Sequence, residues 1–357
     1  MRAGKRRWLH SRLFRRYAQV CIFEATGVRA VNARLEHGSV VTVLGGSGFV
    51  GRYAVRALAG EGWRIRAATR RPDLAGHLQP MGAVGQIHAV QANLRYPDSV
   101  RRAVEGAEAV VNLVGILVKS GAQTFHAVHV AGARAAAKAA KEAGAKTFVH
   151  VSAIGADRKS WGKYGRTKAA GEAAVLAEFP EAVILRPSLV FGAEDQLFNR
   201  FAAMARLSPF LPLIGGGKML LQPVYAGDAG AAIAAVCGGK AKPRTIYELG
   251  GPDVVTFREL LDLTQEWSGH KRWYLRLPFG LAQVAAFLTA PLPNTMRPLT
   301  VDQVRMLTRP NVVSDAAIEE RRTLAGLGIS SPQAMATIVP GYLERFRPHG
   351  QFAHYRG

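Results

Sequence analysis

Tyr164 and Lys168 stand at either end of Tyr164-Gly165-Arg166-Thr167-Lys168. On a helix that spacing puts both side chains on one face. A phenol beside an ammonium can give and take a proton, because the positive charge eases formation of the phenolate. The ammonium can also bond a ribose hydroxyl. Ser152, twelve residues earlier in Val151-Ser152-Ala153, could orient a carbonyl. A second constellation is Gly45-Gly46-Ser47-Gly48-Phe49-Val50-Gly51, which fits Gly-x-x-Gly-x-x-Gly and, from Gly46, Gly-x-Gly-x-x-Gly. Such a loop cradles a pyrophosphate. Gly45 permits the tight turn, Gly48 lets backbone approach the phosphates, and Gly51 lets helix and strand pack closely. The helix that follows offers N–H groups and the positive end of its dipole.

The position that selects the ribose lies roughly 20 residues further on, where an NAD-binding unit carries Asp or Glu. Here it reads Thr69-Arg70-Arg71, with Arg70 nineteen residues past Gly51. No acid is present to accept from a 2′-hydroxyl. Arg70 and Arg71 suit a 2′-phosphate, whose oxygens match the guanidinium fork. NADP(H) is therefore the expected cofactor, with NAD(H) the weaker alternative.

These residues need elements to position them. Val40 to Leu44 is a short apolar β-branched run, and Phe49 to Leu58 has helical spacing. Further strands are predicted at 64–69, 86–91, 109–114, 147–152 and 182–185, with a long Ala-rich helix over 124–143. Near-continuous apolar strands separated by helices imply a parallel sheet covered on both faces, wound by right-handed crossovers. The glycine loop then follows the first strand, Ser152 ends the fifth, and Tyr164 and Lys168 open a later helix. Beyond Gly192 the rhythm loosens into a smaller lobe. Thr245 to Leu249 reads as a strand, and Thr256 with Glu259 as a capping box. The expected division is a basic extension at 1–37, a nucleotide-binding domain at 38–191 and a C-terminal α/β lobe at 192–357. The strand at 244–249 is expected to return to the main sheet.

Of 357 residues, 47 are Lys or Arg and 25 are Asp or Glu, a net charge of +22. The apolar share of 48% can fill a sizeable core and excludes disorder of the whole chain. Two cysteines, Cys21 and Cys237, cannot build a disulfide framework. Residues 1–37 hold nine basic residues against Glu24 and Glu36. That segment reads as a transit peptide, as a basic arm touching lipid or partner, or as translation from an over-early start codon. The apolar stretch Phe279 to Ala290 is about 18 Å long as a helix, too short to span a bilayer. It reads as a core or lid helix, or as a surface that meets membrane or a partner. The excess charge calls for an anionic partner: phosphate-bearing ligand, anionic lipid or nucleic acid. Arg158-Lys159, Lys163, Arg166 and Lys271-Arg272 lack base-reading architecture, so nucleic acid ranks last. His126 and His129 could face one metal at i, i+3, but no Cys or acid cluster accompanies them, so a core or site-lining role is favoured and no metal is expected.

With Tyr164 and Lys168 set among a glycine loop and six strands in order, five before them and one after, the chain resembles the short-chain dehydrogenase/reductase superfamily, in its extended, epimerase/dehydratase-like branch. The resemblance is also carried by Val111-Asn112-Leu113-Val114-Gly115, by Leu185 through Gly192, and by Gln222-Pro223-Val224-Tyr225 with Asp228. More closely, it is similar to the NADPH-holding accessory subunits of respiratory complex I of the alpha-subcomplex subunit nine type, and to their bacterial relatives. The strings here are Gly48 through Tyr53, Tyr164 through Glu172, Phe179 through Ala182, Phe191 through Asp195, Leu277-Pro278-Phe279, Asp302-Gln303-Val304 and Leu327-Gly328-Ile329. The resemblance covers about residues 39–347.

It implies a doubly wound Rossmann sheet in which Gly45, Ser47, Gly48, Phe49, Val50 and Gly51 hold the pyrophosphate. Arg70 and Arg71 would hold the adenosine phosphate, and Asn93 and Leu94 flank adenine. Val114 and Gly115 would line the ribose, Tyr164 and Lys168 the nicotinamide ribose, and Pro187, Ser188, Leu189 and Val190 the nicotinamide. Ser152, Tyr164 and Lys168 would be catalytic if the chain turns over. His129 stands where the family often has an Asn that organises a proton relay. The implied role is a structural subunit or assembly component of complex I, with subunits of that complex as partners. Its expected location is peripheral, on the cytoplasmic face of a bacterial inner membrane or the matrix side of a mitochondrial one. The rival is a free NADP-dependent reductase, epimerase or dehydratase, soluble in the cytoplasm, with Tyr164 as acid/base, Lys168 tuning it and Ser152 orienting a carbonyl.

Overall fold

The computed structural model describes residues 38–289 and 300–348. The basic leading segment, Cys21 and Ala290 lie outside them. The chain opens with β1 (Val40–Leu44), α1 (Phe49–Gly60), β2 (Arg64–Thr69), β3 (Ile87–Gln91), α2 (Pro97–Val104) and β4 (Ala109–Asn112). A π-helical turn (His126–Gly132) runs into α3 (Ala133–Glu142), followed by β5 (Thr147–Val151), α4 (Lys163–Glu178), β6 (Val183–Pro187) and β7 (Val190–Phe191). Next come α5 (Phe198–Leu207), β8 (Phe210–Ile214), β9 (Leu220–Leu221), β10 (Val224–Tyr225), α6 (Ala226–Cys237), β11 (Ile246–Leu249) and β12 (Val255–Thr256). The last elements are α7 (Phe257–Ser268), β13 (Trp273–Leu277), α8 (Phe279–Leu288), α9 (Val301–Met306), α10 (Asp315–Glu319) and α11 (Met335–Leu343).

Seven strands form one parallel sheet in the order β3-β2-β1-β4-β5-β6-β11. The order reverses between β1 and β4, and ligands of doubly wound sheets bind beyond the strand ends at such a switch point. Alternation along β1 divides its side chains between two cores. Val41 and Val43 pack with Val55 and Leu58 of α1 and Ile233 of α6. Leu44 packs on the other face with Val100 of α2, Ala136 of α3 and Val175 of α4. Both faces are therefore covered, which explains why β4 is buried along its whole length.

β4 stops at Asn112, short of the predicted Val114, because the Asn112 side chain takes over the backbone. Its Oδ1 accepts from Val114 N–H at 3.2 Å, a local bond that competes with the ladder. The predicted long helix begins instead as the π-helical turn.

The smaller lobe packs α5, α7 and α11 around Phe198, Leu211, Leu260 and Val339. β8 pairs with β13 in parallel and β9 with β12 in antiparallel. The predicted capping box opens α7: Glu259 N–H donates to Thr256 Oγ1 at 3.1 Å, and Thr256 N–H to Glu259 Oε2 at 2.7 Å. On α8, Ala282 and Ala286 face inward with Val304 of α9 and Ile214. Leu281, Val284, Phe287 and Leu288 are 61%, 54%, 71% and 70% exposed. Among the described residues no helix is long and apolar enough to cross a membrane.

Candidate nucleotide site

The glycine loop joins β1 to α1 at the switch point. Gly45 has φ +85°, a left-handed conformation that a side chain would strain. A Cβ on Gly51 would lie 2.3 Å from Gly45 O, so only glycine lets the first turn of α1 close on the loop. Ser47 Oγ donates to Thr69 Oγ1 at 2.9 Å, tying the loop to the end of β2. The N-cap of α1 is Gly48, with no capping side chain and no acid in the first turn. That helix end is thus left to an anionic ligand. Phe49 and Val50 follow in the first turn, Phe49 edge-to-face with Tyr53 at 6.0 Å.

Beside the loop lies a pocket of about 240 Å³. Gly45, Ser47, Gly48, Arg70, Asn93, Leu94, Val114 and Gly115 line it, as do Arg95 and Gln123. β2 and β3 run in register, Thr69 opposite Gln91, so the residues after each strand reach the same pocket. Arg71 is turned to Asp73, 3.2 Å away. Asn93 Oδ1 accepts from Arg95 N–H at 3.1 Å, shaping the turn that carries both.

At the other end of the cleft, Gly115 meets the Tyr-Lys pair. A Cβ there would sit 3.3 Å from Lys168 Nζ and 3.8 Å from His129 Nε2. Lys168 is buried, and its Nζ donates to Val151 O at 3.1 Å. Burial pulls its pKa down to about 8, against the pull of Glu172. Its ammonium lies 5.9 Å from the Tyr164 ring centre. The expected lowering of the phenol's pKa by this ammonium is overridden: burial and then the Asp302 carboxylate push Tyr164 up to about 12, while the ammonium is bonded to Val151 O. Ser152 is buried at the end of β5, and its Oγ has no partner among the described residues.

His129, on the π-helical turn, is the central ring of this end. Ile116 N–H donates to its Nε2 at 3.1 Å. The proton must then sit on Nδ1, which donates to Thr167 Oγ1 at 3.0 Å. Thr167 bonds back to Lys163 O and Tyr164 O. The ring is edge-on to Tyr164, centroids 5.4 Å apart, and stacked on Phe125. Burial, with Lys168 nearby, lowers its pKa to about 3, so it is neutral. His126 is exposed. Behind them, Asn112 Nδ2 donates to His150 Nδ1 at 3.2 Å, and burial lowers His150 to about 3 as well.

Residues 41–250 match the NAD dependent epimerase/dehydratase family. The chain belongs to the NAD dependent epimerase/dehydratase family. Among curated relatives it is 37% identical over 298 residues to the mitochondrial NADH dehydrogenase [ubiquinone] 1 alpha subcomplex subunit 9 of Arabidopsis thaliana, covering 79% of this chain and 73% of that one. It is 33% identical to a ceramide reductase of Caulobacter vibrioides, covering 72% and 80%. Among solved structures, an Escherichia coli NADPH-dependent quinone oxidoreductase complexed with NADPH shares the fold. The TM-score is 0.65 at 21% identity, over 85% of this chain and 99% of that one.

The epimerase/dehydratase chain keeps an NAD(P)-binding fold, and its cleft fits such a ligand on its own geometry: a glycine cradle, an uncapped helix end, and a Ser-Tyr-Lys end joined to it through Gly115. The segment 187–190 lies outside the pocket lining and is stitched to the second lobe. Ser188 Oγ sits 2.9 Å from Asn311 O and 2.8 Å from Asn311 Oδ1. Val224 N–H donates to Leu189 O at 2.9 Å, Val190 pairs with Val224, and Pro187 O accepts from Ile154 N–H. Three participants escaped the sequence reading. Arg95 and Gln123 carry no motif. Asp302 appeared only within a matching string, with nothing to mark its reach to α4.

Proposed function

We propose that this chain is a nucleotide-holding accessory subunit or assembly component of NADH:ubiquinone oxidoreductase, respiratory complex I, with NADPH as its ligand. The observation that carries the reading is the 37% identity with the plant subunit 9 along most of the chain, together with an intact dinucleotide cleft. When bound, the nucleotide supplies a hydride-carrying nicotinamide. The protein's part is to hold it. Gly45, Ser47, Gly48, Phe49, Val50 and Gly51 take the pyrophosphate against the α1 N-terminus. Arg70 takes the 2′-phosphate, with Arg71 adjoining and Arg95 adding a second guanidinium from the pocket wall. Asn93 and Leu94 flank adenine, Val114 and Gly115 the ribose, Tyr164 and Lys168 the second ribose, and 187–190 the nicotinamide ring.

Docking falls to the exposed face of α8 and to the basic surface, at the membrane-side periphery of the complex. In this reading the chain works on the cytoplasmic face of a bacterial inner membrane or the matrix face of a mitochondrial one. Gentle membrane extraction followed by sizing tests this: the chain should migrate with complex I or an assembly intermediate. A soluble monomer or dimer alone would contradict it.

A second reading is favoured by Lys168, which bonds Val151 O beside Ser152 and lies 5.9 Å from the Tyr164 ring centre, and by the 33% identity with a reductase. In it the chain reduces a carbonyl. Tyr164, kept protonated by burial, donates a proton to the carbonyl oxygen, Ser152 orients that oxygen, and Lys168 holds the ribose. Rapid reoxidation of bound NADPH by a carbonyl panel would favour this reading over the first.

A further inference from the structure

Helix α4 carries Tyr164 and Lys168, yet its N-cap is Gly162, which has no side chain to cap with. The first N–H groups of a helix have no partner within it. Here two of them are satisfied from the other lobe. Lys163 N–H donates to Asp302 Oδ1 at 2.6 Å, and Tyr164 N–H to Asp302 Oδ2 at 2.8 Å. A carboxylate suits this place doubly, through charge-assisted bonds and through the positive end of the helix dipole.

Asp302 is itself held in position. Thr300 and Gln303 form the capping box that opens α9, with Thr300 N–H donating to Gln303 Oε1 at 2.9 Å. Val304, fully buried, keys α9 against Ile214 of β8 and against Ala282 and Ala286 of α8. None of these residues lines the pocket. The pocket wall belongs to the first lobe alone, from Leu44 to Val128. The Tyr164–Lys168 end is fastened to the second lobe through Asp302.

We propose that Asp302 is a positioning residue, which caps α4 across the lobe boundary and so fixes Tyr164 and Lys168 at the second-ribose end of the cleft. Its effect on nucleotide binding rests on the nucleotide-holding reading above, whereas its effect on α4 does not. The two halves of a dinucleotide then sense it differently. The adenine half meets a wall complete without Asp302. The nicotinamide half meets side chains whose helix start depends on it.

The test uses the full chain as wild type, Asp302→Ala and Asp302→Asn, with two measurements. In hydrogen exchange, peptides spanning Gly162 to Lys168 should lose protection in Asp302→Ala while the β1, β4 and β5 peptides stay unchanged. In calorimetric titration, NADPH affinity should fall about tenfold, while 2′,5′-ADP, the adenine half alone, keeps its affinity within about twofold. Asp302→Asn should lie between, since its amide oxygen can still accept from one N–H. If Asp302→Ala does not fold, Asp302→Asn carries both measurements. Unchanged exchange at 162–168 overturns the proposal, as does an equal loss, or no loss, for the two nucleotides. If wild type takes up neither nucleotide while exchange at 162–168 still rises in the variant, the nucleotide reading fails and the role of Asp302 in placing α4 stands.

Discussion

Arg70 and Arg95 reach one pocket from the ends of two neighbouring strands. Arg70 was legible in the sequence, because the count from the glycines leads to the end of the second strand. Arg95 was not. Its approach depends on the pairing of β3 with β2, and no local spacing records that register. Arg71, next to Arg70, is taken by Asp73, a short-range pair that a residue count overlooks. A charged hydrogen bond to phosphate contributes about 1.5–3 kcal/mol. Arg70→Asp should therefore weaken NADPH binding about tenfold to a hundredfold and leave NADH nearly unaffected, read by titration of both. Equal affinities in wild type would contradict the assignment.

The buried histidines make a pH prediction at the same scale. His129 and His150 both have folded pKa values near 3, below the ordinary 6.5. Between those values the unfolded chain binds their protons and the folded chain does not, so stability falls as pH falls from about 6.5 toward 3. The expected loss is on the order of a few kcal/mol. Thermal melts across this range should show Tm dropping, and dropping less in His129→Gln. A Tm independent of pH would contradict the buried, neutral assignment.

At the scale of elements, the sheet strands and the α7 capping box were readable, since apolar runs and Thr-x-x-Glu are local signals. The π-helical turn was not, because its extra residue answers to packing of His129 against Tyr164 and Phe125 rather than to propensity. The stretch from Phe279 had two readings, core helix or docking surface. Ala282 and Ala286 face inward, and Leu281, Val284, Phe287 and Leu288 face out. Changing Leu281, Val284, Phe287 and Leu288 to Gln should cost little stability, about 0.5 kcal/mol or less per exposed site. The same change should release the chain from the membrane fraction, measured by flotation and sizing. Retention at wild-type levels would remove α8 from the docking surface.

For the whole molecule, the net charge of +22 takes on a narrower meaning. Several basic residues are spent on defined partners: Arg186 on Glu172 at 2.6 Å, Arg52 on Glu194 at 2.8 Å, Arg309 on Asp157 at 3.0 Å. Arg70 and Arg95 face the pocket. The parallel sheet and its covering helices were legible in the alternation of apolar runs with helical spacing. The reach of Asp302 to the start of α4 was not, since 138 residues separate it from Tyr164.

The central claim is that the cleft at the β1–β4 switch point holds a dinucleotide phosphorylated at the adenosine ribose. It is tested most directly by denaturing the purified protein and identifying what is released by mass spectrometry. The account predicts NADP(H), near one per chain, lost in Arg70→Asp. Protein that releases no dinucleotide, and takes up none when NADPH is supplied, would contradict it.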